Sequence, residues 1–61
     1  MNGKQRTETV SGKLRTAYVR LLSGGRWHWE VWAFGRGLIA SGIETDERTA
    51  VVCADLSLFA F

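Results

Sequence analysis

Two glycine clusters, Gly24-Gly25 and Gly35–Gly37, divide the middle of the chain into three runs rich in apolar and β-forming residues. The runs are Lys13–Ser23, Arg26–Phe34 and Leu38–Ile43, and no proline interrupts them. Runs of this length separated by glycine-containing turns are typical of β-hairpins. The sequence therefore predicts a three-stranded antiparallel β-meander over roughly residues 13–43.

The length of the first turn decides which side chains share a face of this sheet. A two-residue turn at Gly24-Gly25 would mix charged and apolar residues on both faces. A three-residue loop over 24–26 separates them, and it places Arg20 opposite Glu30 as an oppositely charged pair. We therefore expect the longer loop, with a core face of Ala17, Val19, Leu21, Trp27, Trp29, Val31 and Ala33, joined by Ile39 and Ile43. The opposite face, called the outer face below, then holds Tyr18, Arg20, Leu22, His28, Glu30, Trp32 and Phe34.

A helix is predicted after the third strand, where Thr45 or Asp46 can cap the first turn. Four of its residues are spaced to pack on the sheet, namely Ala50, Val51, Ala54 and Leu58. A second apolar stripe lies on another side of the helix and consists of Val52, Leu56 and Phe59. Because one small sheet cannot cover both stripes, the second is predicted to form a homodimer interface.

The chain has 61 residues, which is enough for one domain but leaves a thin core. With a single cysteine, Cys53, and a single histidine, His28, neither an internal disulfide nor a metal cage can add stability. Oligomerisation is the device that is left, and a homodimer is expected. The predicted fold class is α+β, in the order β-β-β-α over residues 13–61, preceded by a flexible basic N-terminal arm over residues 1–12.

Composition and motifs point to a binding protein rather than an enzyme. The net charge of +2 permits nucleic-acid binding without requiring it. His28 with Glu30 is only a weak acid–base pair, and Cys53 is expected to be an apolar filler rather than a reactive thiol. No segment has the ~18–20 apolar residues of a membrane-spanning helix, and the N-terminus lacks a signal-peptide core. A cytoplasmic protein without cofactor or metal is expected.

The outer face combines aromatic and cationic side chains, a combination that suits two kinds of partner. Guanidinium groups can contact phosphates or guanine edges while aromatic rings pack on sugars and bases. Tryptophan, tyrosine and arginine are also enriched at protein–protein interfaces, so residue chemistry alone leaves both partners open. The candidate DNA contacts are Lys13, Arg15, Tyr18, Arg20, Arg26, His28, Trp32 and Arg36, with Lys13 and Arg15 on phosphates.

Several short motifs add a family resemblance. They are Val19-Arg20, Gly25-Arg26-Trp27 and Glu30-Val31 in one ungapped block, followed by Gly42, Glu44-Thr45, Ala50, Ala54-Asp55 and Phe59. Together they resemble the ethylene-response-type (Apetala-type) DNA-binding domain and its relatives, the arm-binding domains of phage-type tyrosine integrases. The resemblance implies a three-stranded sheet on a C-terminal helix, which reads DNA by placing the sheet in the major groove. It also implies that Arg20, Arg26 and Trp27 lie in or beside the DNA-reading region, with Glu30 in a supporting pair.

The chain departs from that family where it prefers arginines, because it has Ala17, Leu22 and Trp32 there. These replacements remove charges that would dominate DNA affinity. We expect a small, dimeric DNA-binding accessory protein of the kind that phages or mobile elements encode. The alternative is a protein-interaction module, such as a phage- or plasmid-type inhibitor or adaptor, with Tyr18, Trp32 and Phe34 as anchors.

Overall fold

The computed structural model describes residues 3–60, which form a four-stranded antiparallel sheet with one helix against it. The strands lie side by side in chain order and are β1 (Gly3–Val10), β2 (Lys13–Leu21), β3 (Trp27–Ala33) and β4 (Gly37–Glu44). A short 3-10 turn at Ser23–Gly25 lies between β2 and β3, and helix α1 spans Glu47–Ala60. The α+β class and the C-terminal helix are confirmed, but the sheet has four strands rather than three.

The additional strand comes from the segment that was predicted to be a flexible basic arm, residues 1–12. Met1 and Asn2 lie outside the described residues, whereas Gly3–Val10 pairs with β2 along its whole length. Ser11 and Gly12 join the two strands with φ angles of 53° and 76°. Two consecutive residues with positive φ are typical of a two-residue hairpin turn, because its twist matches that of the strands. The arm is thus corrected to an edge strand.

The loop that joins β2 to β3 has five residues, 22–26, instead of the predicted three. Its ends are held by a hydrogen bond from the Leu22 amide to the Arg26 carbonyl at 2.6 Å. Gly24 and Gly25 both have positive φ, a conformation that glycine adopts without steric cost. The glycine pair therefore marks the turn as predicted, but the turn begins earlier in the chain.

The longer loop moves the pairing of β2 and β3 by two positions. Ala17 lies opposite Val31, and Arg20 lies opposite His28. The predicted pair of Arg20 with Glu30 is therefore wrong, as are the other pairs of that register. Because side chains alternate along a strand, a shift by two positions keeps each side chain of these two strands on its predicted face.

The core lies between the sheet and α1. Its buried residues are Ala17, Val19, Trp29, Val31, Ala50, Ala54 and Leu58. Alanines on the sheet side of the helix let it lie close to the strands, and Leu58 and Val31 are the largest side chains that are fully enclosed. Trp27, Ile39 and Val51 pack against this cluster from its margin. Leu21, predicted to be in the core, is exposed because it lies at the end of β2.

A β-bulge interrupts the pairing of β3 with β4. Val31 lies opposite Ala40, but the next residue, Trp32, lies opposite Leu38. Ile39 is therefore the extra residue on β4. One extra residue reverses the alternation of side chains beyond it, so every later position of β4 lies on the face opposite to the one predicted.

The reversal has two consequences for the last strand. Ile43 lies opposite His28 on the outer face, where it is exposed, so its prediction as a core residue is wrong. Gly42 faces the core instead, directly beneath Trp29. A Cβ at this position would lie 2.7 Å from Trp29 Nε1. The indole is 8% exposed, and its Nε1 donates a hydrogen bond to Glu44 Oε2 at 3.1 Å, so the ring cannot simply move aside.

The helix begins where the sequence predicts. Asp46 Oδ1 accepts a hydrogen bond from the Thr49 amide at 2.7 Å, which makes Asp46 the N-cap. This hydrogen bond lowers the pKa of the Asp46 carboxyl below its ordinary value, because it favours the charged form. Between Gly3 and Ala60, no helix combines the length and the apolar character that crossing a membrane requires.

We predict that Gly42→Ala destabilises the protein by about 1–3 kcal/mol, because the methyl group collides with the rigid, buried Trp29 ring. Urea unfolding followed by tryptophan fluorescence measures this change. The matched control is Ser41→Ala, at the exposed neighbouring position, which should change stability by less than about 0.5 kcal/mol. If Gly42→Ala is as stable as the control, the Trp29–Gly42 contact does not constrain the fold.

We further predict that Asp46 adds to the loss of stability in acid. Since its folded pKa lies below the ordinary 3.8, its contribution is present above about pH 4 and is lost as the pH falls through the folded pKa. Asp46→Asn keeps an oxygen that can cap the helix but does not titrate. The urea midpoint of the unchanged protein should therefore fall more steeply than that of Asp46→Asn between about pH 4 and pH 2. Parallel acid profiles would contradict the assignment of this cap.

Candidate interaction surface

The outer face of the sheet has no helix or loop over it within residues 3–60, and it carries a cluster of large apolar side chains. We call this cluster the aromatic patch; its members are Leu14, Tyr18, Trp32 and Leu38 on the strands and Phe34 in the β3–β4 loop. The four strand residues are 38–49% exposed, and Phe34 is 83% exposed. Trp32 lies between two neighbours, opposite Thr16 on one side and Leu38 on the other. The patch is therefore continuous across three strands.

A groove of about 290 Å³ runs through the aromatic patch. Its walls include Leu14, Tyr18, Trp32 and Phe34, with Thr16 between them. Tyr18, Trp32 and Phe34 were expected to act as anchors for a partner, and the structure brings these three side chains together. Leu14 and Leu38 were not predicted members. The alternation of β2 could have placed Leu14 beside Tyr18, whereas Leu38 could not be placed without knowledge of the bulge.

The residues predicted to contact DNA fall into separate groups. Tyr18, Arg20, His28 and Trp32 lie on the outer face as predicted. Arg20 and the exposed Arg26 lie at the end of the sheet near the 22–26 loop, whereas Lys13 and Arg36 lie near the opposite end. Because β2 runs from Lys13 to Leu21 at ~3.3 Å per residue, about 25 Å separate the two ends. The cations do not form one cluster.

Arg15 does not belong to the exposed set. It faces α1, is only 7% exposed, and its Nη1 donates a hydrogen bond to the Leu58 carbonyl at 3.0 Å. Arg15, which was predicted to lie on phosphates, is therefore largely enclosed between β2 and α1. A carbonyl in the last turn of a helix is a suitable acceptor for a guanidinium, because the C-terminal end of the helix dipole is negative. Arg15 thus holds β2 to the end of α1.

The cations of β1 are used within the fold. Lys4 Nζ lies 3.7 Å from Glu47 Oε2, and Arg6 lies 2.9 Å from Glu8 and 3.2 Å from Asp55. The pKa of the Arg6 guanidinium is raised, mainly by the hydrogen bond to Glu8 and secondly by the negative charge of Asp55. These pairs lie on the helix side of the sheet. The charges that suggested a phosphate-binding arm therefore connect the edge strand to the helix.

The carboxylates are almost all on the helix side. Of the six in the chain, Glu30 is the one on the outer face. Its Oε2 lies 4.0 Å from His28 Nε2, too far for a hydrogen bond, and His28 Nδ1 is buried without a partner among the described residues. The outer face is therefore poor in charge of either sign, with Arg20 as its one strand cation.

No group of three or more metal-ligating side chains occurs within residues 3–60. Burial raises the pKa of the Cys53 thiol, and the neighbouring Glu44 carboxylate raises it further. A raised pKa disfavours the nucleophilic thiolate, which fits Cys53 as a packing residue.

The second stripe on α1 is exposed. Val52, Leu56 and Phe59 are 49–67% exposed, and the Arg6 guanidinium lies over the Phe59 ring at 5.4 Å from its centroid. Two apolar surfaces thus lie on opposite sides of the molecule. The aromatic patch has more large side chains, and the helix stripe is partly covered by Arg6.

Comparison with known proteins gives no family for this chain. No protein-family model matches it, and the comparisons with curated proteins and with solved structures gave no match. The resemblance to the ethylene-response-type DNA-binding domain therefore stays a prediction.

Proposed function

We propose that this protein is a small protein-interaction module that binds another polypeptide through the aromatic patch. The continuity of five exposed apolar side chains across three strands is the observation that carries this proposal. Isolated apolar side chains are common on protein surfaces, but continuous clusters rimmed by polar residues mark sites of association. Covering each of these exposed side chains contributes about 1 kcal/mol or more, so the patch can supply a useful binding free energy.

The central side chains of the outer face fit protein better than duplex DNA. Reading base edges in a major groove requires side chains such as arginine, asparagine or glutamine in the middle of the sheet. The middle of this sheet holds Tyr18, Glu30 and Trp32 instead. Aromatic side chains surrounded by polar groups are typical of the energetically dominant part of protein–protein interfaces.

The two edges of the sheet differ in a way that also favours a polypeptide partner. β1 carries Lys4, Arg6 and Glu8, and charged side chains on an edge discourage pairing with another strand. β4 has no charged side chain from Gly37 to Ile43. Its backbone groups on the open side are therefore available to a strand of a partner that already lies on the adjoining aromatic patch.

In the purified protein we propose that the partner is a second copy of the chain. Arg20 and Glu30 have opposite charges on the same face, so a two-fold arrangement can place each near its counterpart in the other copy. Burial of the patch would also compensate for the thin core of a chain this short. The helix stripe predicted from the sequence remains the competing dimer interface. Mutations in the two surfaces distinguish between them.

We predict that Trp32→Glu abolishes self-association, because it places a charge at the centre of the aromatic patch without touching the core. Leu56→Glu makes the same change in the helix stripe and should leave self-association intact. Sedimentation velocity over a range of protein concentrations measures both, and circular dichroism checks that each variant is folded. Self-association that survives Trp32→Glu but not Leu56→Glu would assign the interface to α1. A protein that is monomeric at every concentration would contradict self-association altogether.

DNA binding is a second candidate, favoured by the separation of charge. Five exposed cations have no carboxylate within 4.0 Å among residues 3–60, and they are Lys13, Arg20, Arg26, Arg36 and Arg48. The first four lie on the sheet or its loops, whereas five of the six carboxylates lie on the helix side. A duplex laid along the outer face would therefore meet more positive than negative charge.

If DNA is the partner, duplex affinity falls with salt by a log–log slope of about −0.9 for each phosphate neutralised. Titration of labelled duplex at low and moderate salt measures this slope. The double variant Arg20→Ala with Arg26→Ala should then weaken binding strongly, while Arg48→Ala on the helix should not. No binding at low salt, or equal weakening by all these changes, would eliminate the sheet as a DNA-binding surface.

A further inference from the structure

A notch of about 680 Å³ lies at the end of the sheet where the β1–β2 turn meets the β3–β4 loop. Three cationic residues line it, Lys13, Arg15 and Arg36, and no carboxylate of residues 3–60 does. Gly12 and Gly35 contribute walls without side chains, and Phe34 stands at the side of the notch, largely exposed. Turns on separate hairpins thus bring together three positive residues that lie up to 23 positions apart in the chain.

Arg15 is the unusual member of this group, because its charge is buried and is incompletely compensated by residues 3–60. The structure gives it one hydrogen bond, from Nη1 to the Leu58 carbonyl, and its buried Nε has no acceptor among the described residues. Glu8 lies opposite Arg15 in the pairing of β1 with β2, but its carboxylate is bonded to Arg6. Within residues 3–60, no carboxylate lies within 4.0 Å of the Arg15 guanidinium.

A buried charge without a counter-charge is costly, and an anion nearby reduces that cost. Lys13 and Arg36 are exposed and have no carboxylate partner in the described chain either, so they are free to close on such an anion. Arginine presents a planar fork of donors that matches phosphate oxygens, and lysine adds a compact positive charge. Three cations suit a phosphoryl group, which carries up to two negative charges, better than a single carboxylate.

We propose that the notch is a binding site for a phosphoryl anion, held by Lys13 and Arg36 above the buried charge of Arg15. The site is independent of the aromatic patch as a protein-binding surface, although the two share Leu14 and Phe34 at their border. The phosphoryl group can belong to a free phosphorylated small molecule or to a nucleic-acid backbone. Both sources present non-bridging phosphate oxygens to the same cations, with up to two negative charges on a terminal phosphoryl group and one on a backbone phosphodiester.

The test uses two probes, pyrophosphate and a short DNA duplex, each titrated into the full chain at constant ionic strength. Amide chemical shifts in ¹H–¹⁵N spectra report the position of binding, and the notch predicts shifts at Gly12, Lys13 and Gly35. Arg36→Gln should weaken binding about fivefold or more, since tenfold corresponds to about 1.4 kcal/mol and a charge-assisted hydrogen bond is worth that order. Arg48→Gln removes the same charge from an exposed position in the first turn of α1, away from the notch, and it should change affinity less than about twofold.

The outcomes separate the two sources and the two proposals. Pyrophosphate binding that depends on Arg36 but not on Arg48 supports the site with a free small molecule as ligand. The same dependence seen with duplex alone supports the site with a nucleic-acid backbone as ligand. Absence of notch shifts with both probes, or equal weakening by both variants, overturns the proposal. Self-association through Trp32 is measured without either probe, so its failure is recognised separately.

Discussion

The contact between the Trp29 indole and the backbone of Gly42 is the constraint on which the rest of the structure depends. The ring fits across β4 because Gly42 has no side chain, and its nitrogen is held by Glu44. Gly42 reaches this position only because the bulge at Ile39 reverses the faces of β4. The same reversal moves Ile43 out of the core, so the packing of the helix side directly determines how apolar the outer face is.

The charged side chains are also divided unequally between the helix side and the outer face of the sheet. The helix side contains the ion pairs of Lys4 and Arg6 and the buried guanidinium of Arg15, which connect β1, β2 and α1. These contacts stabilise a small domain whose apolar core is thin, and they leave few charges for the outer face. That face is consequently a surface of aromatic and aliphatic side chains with cations at its two ends. This distribution is the basis of both proposals, a polypeptide on the middle of the face and an anion at its margin.

Much of this arrangement could be predicted from the sequence because it follows from local patterns. The alternation of side chains assigned the faces of β2 and β3 correctly, although the predicted register of the two strands was wrong by two residues. The spacing of Ala50, Ala54 and Leu58 identified the buried side of α1. Strand β1 was not predicted because its charged side chains suggest a solvated arm. In the structure its lysine and arginine pair with acids on a helix more than 35 residues away. The one signal in the sequence was Ser11-Gly12, which is typical of a hairpin turn. The bulge at Ile39 has no local signature, since it is selected by the fit of Trp29 on Gly42. The candidate site was accordingly predicted in its aromatic residues but not in its aliphatic ones.

We propose that the outer face, and not the helix, is the surface through which this chain binds protein. The most direct measurement is a dilution series of ¹H–¹⁵N spectra of the purified protein at low and high salt. The account predicts that amide shifts of Tyr18, Trp32 and Leu38 change with protein concentration at both salts, while those of Val52 and Leu56 stay constant. Concentration-dependent shifts confined to α1, or none at any concentration, would contradict it.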